Sequence, residues 1–420
     1  MLKALYRSAS LRTAAAMGVG GVGFSLGSLL LARQLPTEEY GLVSLALGII
    51  SFGGLVAPLG FDLVAARRGI RLDARWRRAA FGACLLISLG AALLAALVYH
   101  LSAAMVVSIA LCILALGVAQ SVGGHFQGQQ DLRLAVWVVQ LINGALFLVG
   151  ILDLAIGFST AAAACLVMAA IAISGAAALY WLLRRRPGTG EAQPRAWGLR
   201  WEAMSLLSVQ ACGSAFMQLE RLLLGPIVGL HDLAVYSVLA ALVSSPFRLL
   251  QAAVQFTLIP TLRIAGDARA RRARVAREAG LVFVTVAAGS GVIWVLAPPI
   301  ARWMTAGRYD LSHALIIATL ISGLLKVMSG FTTAVVVSCG EERRLRILSF
   351  ASWGSIVISV AGAFLTRQWG LVGVLYGISA GWLVRCFLTG WLALPFLRLA
   401  QQSATGPVAR EVSLRPSSSR

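Results

Sequence analysis

Four basic side chains fall inside long apolar runs, where a charge is costly: Arg221, Arg248, Lys326 and Arg385. Each costs about 2.5–3.5 kcal/mol at the centre of a membrane-spanning helix, so such a residue faces a protein interior or water. Two of them sit in polar stripes. Ser244, Arg248, Gln251 and Gln255 recur at i, i+4, i+7 and i+11, and Ser322, Lys326, Ser329 and Thr333 repeat that spacing, so each set covers one helix face. Ser214, Gln218 and Arg221 share a side of a third run, and Gln140 and Asn143 add carboxamides from a fourth. Ser44, Ser51, Pro58 and Asp62 line a fifth. Together they predict a cationic cleft in which Arg248, Lys326 and Arg221 bind an anionic ligand. Gln218, Ser244, Gln251, Gln255, Ser322, Ser329, Gln140 and Asn143 would form its polar lining. Guanidinium forks hold phosphate oxygens bidentately, and an ammonium adds a compact, mobile charge. Asp62 and Glu220 are the candidates for proton or cation coupling, with a structural ion pair, for instance Glu220 with Arg248, as the competing reading. Arg385 has an alternative in snorkelling towards the headgroups.

The elements that must position these residues are membrane helices. Of 420 residues, 59% are hydrophobic and only 12% charged. A soluble domain carries about a quarter charged residues, so this chain cannot cover a water-facing surface of that size. Twelve apolar runs long enough to cross a ~30 Å hydrocarbon core fall at 13–32, 42–66, 79–98, 102–120, 134–152, 157–183, 203–225, 233–262, 279–297, 311–338, 347–365 and 371–396. The first is read as an uncleaved span rather than a signal peptide. The net charge of +20 belongs to loops, not to a nucleic-acid footprint, and no nucleic-acid partner is expected.

Sidedness follows from Lys and Arg. With the N-terminus cytoplasmic, the basic residues gather in cytoplasmic loops, while the outer loops hold only Arg33, Arg302, Arg308 and Arg367. Shifting the count by one helix scrambles that partition, so twelve spans with both termini cytoplasmic is the expectation. The six cysteines lie singly in or beside apolar runs, and the four histidines fall at helix ends or in loops, so no metal, cofactor or redox site is expected.

The chain also repeats. Residues 29–49, LLLARQLPTEEYGLVSLALGI, align without gaps on 222–242, LLLGPIVGLHDLAVYSVLAAL, at an offset of 193. Glu39 falls on Asp232, Ser44 on Ser237, Ser51 on Ser244, Pro58 on Gln251 and Asp62 on Gln255. Six spans per half give both halves one orientation, a parallel repeat about an axis along the membrane normal. The expected architecture is an all-α membrane protein, V-shaped around a central cleft. Its parts are an N-terminal six-helix bundle (1–183), a cytoplasmic linker (184–202), a C-terminal six-helix bundle (203–400) and a disordered cytoplasmic tail (401–420).

LLLARQLPTEEYGLVSLALGIISFGGLVAPLGFDLVAARRG resembles the opening of bacterial polysaccharide flippases, of the multidrug/oligosaccharidyl-lipid/polysaccharide exporter superfamily. QLERLLLGPIVGLHDLAVYSVLAALVSSPFRLLQAAVQFTLIPTL is similar to that family's seventh and eighth helices, with Pro260 closing the eighth, and WMTAGRYD and WGLVGVLYG resemble its later loop and last helix. Thr305, Ala306, Gly307, Arg308 and Tyr309 stand where relatives carry Phe-Gly before Tyr, and Glu220 stands where many carry Asp. The resemblance implies an O-antigen or polysaccharide flippase of the bacterial inner membrane. It would move an undecaprenyl-pyrophosphate-linked glycan to the periplasmic leaflet by rocker-switch motion of its halves, with the pyrophosphate against the cationic cleft. Membrane lipids, a polysaccharide polymerase and chain-length proteins are the further partners it implies.

Two rivals stay open. A cation-coupled drug exporter of the same superfamily would favour acidic and aromatic groups over a basic cleft. A scaffold subunit of an export complex has little reason to keep intramembrane charges. A membrane glycan polymerase, ligase or glycosyltransferase is disfavoured on different grounds: the sequence shows no paired-carboxylate motif, phosphate loop or sizeable soluble segment.

Overall fold

The computed structural model describes residues 9–68, 74–129, 131–185, 200–264, 268–340 and 342–397. Most of the expected linker (186–199) and all of the expected tail (401–420) lie outside them. Every regular element among the described residues is helical, and the elements group into twelve units that coincide in order with the twelve apolar runs. In the first half these are α1 (Ala9–Gln34), α2a (Thr37–Val56) with α2b (Phe61–Arg68), α3 (Ala74–Tyr99), α4 (Ala103–Gly128), α5a (Leu132–Val139) with α5b (Leu141–Ile156), and α6 (Ala161–Arg185). In the second they are α7 (Arg200–Val228), α8a (Leu230–Leu239) joined through a π-helical stretch (Ala240–Ser244) to α8b (Ser245–Ile264), α9 (Ala268–Met304), α10 (His313–Cys339), α11 (Glu342–Leu365) and α12 (Gly370–Leu397).

Nine described helices are long and apolar enough to cross a membrane, ten when α5 counts as one span bent by 50°. The other two, α1 and α7, have 26 and 29 residues. At 1.5 Å per residue both exceed a ~30 Å core. In α7 the carboxamides and charges of the candidate site dilute the apolar average. Apolar side chains such as Leu86, Leu94, Phe283 and Val295 are largely exposed on the outer faces, as a lipid solvent requires.

Three irregularities shape the molecule. Between α2a and α2b the chain turns at Pro58, with Leu59 and Gly60 both at positive φ (51° and 77°). Gly60 also abuts the Ala203 carbonyl of α7, which leaves no room for a side chain. The π-helical stretch resets the face of α8 part-way along its length. Finally, α8b runs on to Ile264, so Pro260 does not close this helix; a proline bends or weakens a helix without always ending it.

Packing within each half follows one plan. α4 lies against α2, α3 and α6, and α10 lies against α8, α9 and α12. Across the halves α1 packs on α8b, α7 on α2, and α2a on α8a. Raising each helix number by six turns α2–α4–α6 into α8–α10–α12 and α1–α8 into α7–α2. The pair α2–α8 maps onto itself and therefore lies on the two-fold axis. Ser44 and Ser237, equated by the sequence repeat, hydrogen-bond to each other there. Equivalent residues meet across an axis only when the halves are related by an isologous two-fold, so the repeat is structural.

Candidate functional site

The charged residues of the apolar runs converge where α7, α8 and α10 meet the first half. Glu220 of α7 is the hub. It accepts hydrogen bonds from Lys326 of α10 and, at 3.3 Å, from Ser322. Its second oxygen lies 3.9 Å from an Arg248 nitrogen. Arg248 also donates to the Met217 carbonyl at 3.3 Å. Lys326 and Glu220 are both buried, whereas the Arg248 side chain keeps 20% of its surface. Arg221, next along α7, points elsewhere. Its guanidinium lies 5.1 Å from the Phe24 ring centroid of α1, its stem fits beside Gly48 of α2a, and its Nε has no hydrogen-bond partner.

Between the halves lies a cavity of about 210 Å³. Arg221, Arg248 and Gln218 line it from the second half, and Phe24, Ser51 and Asn143 from the first. Glycines make the space. Gly20 accommodates the Gln140 side chain, which accepts a hydrogen bond from Asn143, and Gly21 accommodates Leu249. The two walls are joined by Ser25 of α1, which donates to the Ala241 carbonyl (2.9 Å) and to Ser245 (3.1 Å). The Ala241 carbonyl is presented by the π-helical stretch. With one carboxylate among three cations, this region carries a net charge of about +2, and its two arginines face the cavity. Such a site attracts a multivalent anion.

The structure sorts the sequence-read site residues into three groups. Arg221, Arg248, Gln218 and Asn143 line the cavity, with Gln140 behind Asn143. Lys326 and Ser322 lie behind it, bound to Glu220. Gln251 packs on Gly330, and Ser244 and Ser329 are buried, so the polar stripe of α8 turns towards that of α10. Gln255 is half-buried further along α8b. Phe24, Ser25 and Ser245 were not anticipated. For Ser245 the cause is physical: i, i+4 spacing assumes a regular helix, and the π-helical stretch ends at Ser244, bringing Ser245 to the cavity. Arg385 does not snorkel. It is 7% exposed, and its guanidinium lies 5.3 Å from the Phe216 and 5.4 Å from the Trp382 ring centroid. Those rings hold the cation by their π faces inside the second half.

Asp62 belongs to a different place. It stands in the first turn of α2b, beyond the apolar span of α2a, and borders a hollow of about 180 Å³ shared with Gln120, Gln127 and Gln210. One carboxylate oxygen is buried without a hydrogen-bond partner. Burial pushes its carboxyl up to about 6.

Residues 13–263 match the model of a family described as polysaccharide biosynthesis protein. No curated protein sequence matches the chain. Among solved structures, a multidrug resistance MATE family transporter of the MOP superfamily in its inward-facing conformation is 17% identical, with a TM-score of 0.62 over 92% of this chain and 96% of that one. The outward-facing conformation of such a transporter, also 17% identical, gives 0.58 over 93% and 97%. A MOP superfamily transporter from Pyrococcus furiosus, described as having a binding pocket of reverse polarity, is 16% identical, with a TM-score of 0.57 over 93% and 97%. At these identities the likeness is one of fold.

Proposed function

The chain belongs to the polysaccharide biosynthesis protein family, and from that premise we propose that it flips a lipid-pyrophosphate-linked oligosaccharide across the bacterial inner membrane by alternating access. The observation that carries this reading is the cavity between the halves, with Arg221 and Arg248 on its wall. Two guanidiniums suit the clustered oxygens of a pyrophosphate, and Gln218, Ser51 and Asn143 offer hydrogen bonds to a sugar. The lipid tail would remain in the bilayer while the polar head crosses. On this reading both termini are cytoplasmic, and a polysaccharide polymerase and chain-length proteins act on the delivered glycan.

Coupling to an ion is assigned to Asp62 rather than Glu220. Glu220 already pairs with Lys326 and lies beside Arg248, so it has little capacity for another cation. Asp62 keeps an unpaired oxygen beside a polar hollow. The alternative reading, a multidrug exporter, would have lipophilic cations enter a cavity walled by two arginines against their charge.

The test is flipping of a fluorescent lipid-pyrophosphate oligosaccharide in proteoliposomes. Losing a charge-assisted contact costs about 1.5–3 kcal/mol, so Arg221→Gln and Arg248→Gln are each expected to slow flipping at least roughly tenfold while the protein stays folded. Normal flipping by both variants would remove the pyrophosphate from this cavity. If the wild type ignores matched glycans yet moves a lipophilic cation, the exporter reading replaces this one.

A further inference from the structure

Away from the cavity between the halves, the outer side of the first half carries a furrow that the transport reading does not use. α4 packs along both α3 and α6, and between those two helices a furrow of about 400 Å³ faces the bilayer. Its walls are almost wholly apolar: Phe81 from α3, Leu114 and Val118 from α4, and Ile173 and Ala177 from α6. That volume lies within the usual range of ~300–1,000 Å³ for small-molecule sites. Towards the ends of α3 and α6 that carry Arg77 and Arg184, the furrow runs into a smaller hollow sharing Phe81, Val118 and Tyr180. There its chemistry changes abruptly. Arg77 lines the hollow, and Arg184 lies over the Tyr180 ring at 5.0 Å and donates to its hydroxyl at 3.5 Å. Arg78 and Arg185 stand exposed beside them, Arg185 over the Trp181 ring at 3.7 Å.

An apolar trough that ends in arginines and a phenol has the polarity profile of a single anionic amphiphile. We propose that this furrow binds an anionic membrane phospholipid, with one acyl chain along α4 and the phosphate between Arg77 and Arg184. Charge complementarity selects the occupant: a zwitterionic headgroup would bring a cation into a cluster of arginines. α4 and α2a stand between the furrow and the cavity of Arg221 and Arg248, so the furrow is a place apart from the proposed pyrophosphate site. The site does not depend on what the protein transports.

Native mass spectrometry of the detergent-purified full chain tests this, with phosphatidylglycerol and phosphatidylethanolamine of identical acyl chains as probes. Phosphatidylglycerol is expected to be retained in preference, and the preference to fall about fivefold for each of Arg77→Gln and Arg184→Gln. Ala177→Trp, at an exposed position on the furrow wall, is expected to abolish retention with the arginines intact. Leu94→Trp, on the lipid-facing surface outside the furrow, is expected to leave it unchanged. Equal retention of the two lipids, or full retention by Ala177→Trp, would overturn the proposal. Displacement of phosphatidylglycerol by far lower concentrations of a polyprenyl phosphate would also overturn it, in favour of the substrate's tail.

Discussion

The buried charges of α7, α8 and α10 are held by one another, and that dependence can be measured residue by residue. Glu220→Gln leaves Lys326 as an unpaired cation with almost no exposure. Breaking a buried pair from one side costs about 3–5 kcal/mol, and Glu220→Gln is expected to lower the melting temperature accordingly. Glu220→Gln with Lys326→Met removes both charges and should regain most of that loss; a double variant no more stable than the single would show that the pair is not the source. Asp62 makes a separate prediction. Its folded-state pKa of about 6 lies above the ordinary value of 3.8, so it exchanges its proton as pH rises through about 6. Its linkage contribution favours the folded state below the unfolded pKa and is lost as pH rises through the folded one. If it couples transport, flipping in proteoliposomes should change across about pH 5–7 in the wild type and be flat in Asp62→Asn; a persistent profile in that variant would place the coupling group elsewhere. The sequence revealed these residues because charges in apolar runs are rare. It could not reveal that Lys326 faces Glu220, because spacing defines a helix face but not the neighbour across from it.

At the level of helices, span positions were legible because each apolar run ends in polar or basic residues. The departures from straight helices were not. The turn at Leu59 and Gly60, the π-helical stretch and the α5 bend each redirect side chains without altering the apolar pattern that marks a span. Nor did composition show which glycines matter. Gly27 of α1 lies against the Leu146 carbonyl and the Phe147 backbone, and Gly150 of α5b lies against Gly27 itself. Small residues allow this close approach in membranes, where van der Waals packing drives association. Gly144, on the same helix as Gly150, meets nothing within 4 Å. Overpacking costs about 1–3 kcal/mol, so Gly150→Leu is expected to lower the melting temperature in detergent by several degrees and to weaken flipping as Phe24 and Asn143 move apart. Gly144→Leu should do neither. Equal effects of the two substitutions would rule out the crossing as the device that fixes the cavity wall.

For the whole molecule, the two-fold visible in the repeat and fixed at Ser44 and Ser237 relates two halves that the proposed transport cycle would rock about α2 and α8. Their ends are not joined alike. At the end where α2b closes on α7, Gly60 packs directly against Ala203. At the other end a hydrogen-bonded contact spans the halves: Arg308, in the loop between α9 and α10, donates to the Gln34 and Leu35 carbonyls at 3.1 and 2.9 Å. Beside it Tyr309 packs edge-on against Tyr40 with ring centroids 6.1 Å apart. Arg308 and Tyr309 lie in a loop outside the apolar runs, so this closure could not be read from hydropathy or polar spacing. On the proposed topology this end faces the periplasm, where the proposed alternating-access cycle would open to release substrate. Hydrogen bonds at so exposed a site contribute about 0.5–1.5 kcal/mol, which shifts a two-state ratio roughly two- to tenfold. Arg308→Ala is therefore expected to populate a form open at this end. Spin labels at Glu38 and Asp310, exposed on opposite sides of the contact, would report it as a longer-distance population in electron–electron resonance. Arg308→Lys, which keeps the charge but not the fork, should fall between the two. Indistinguishable distance distributions in all three proteins would mean that Arg308 decorates a closure held by other contacts, and that the barrier to opening lies along the α2–α8 axis.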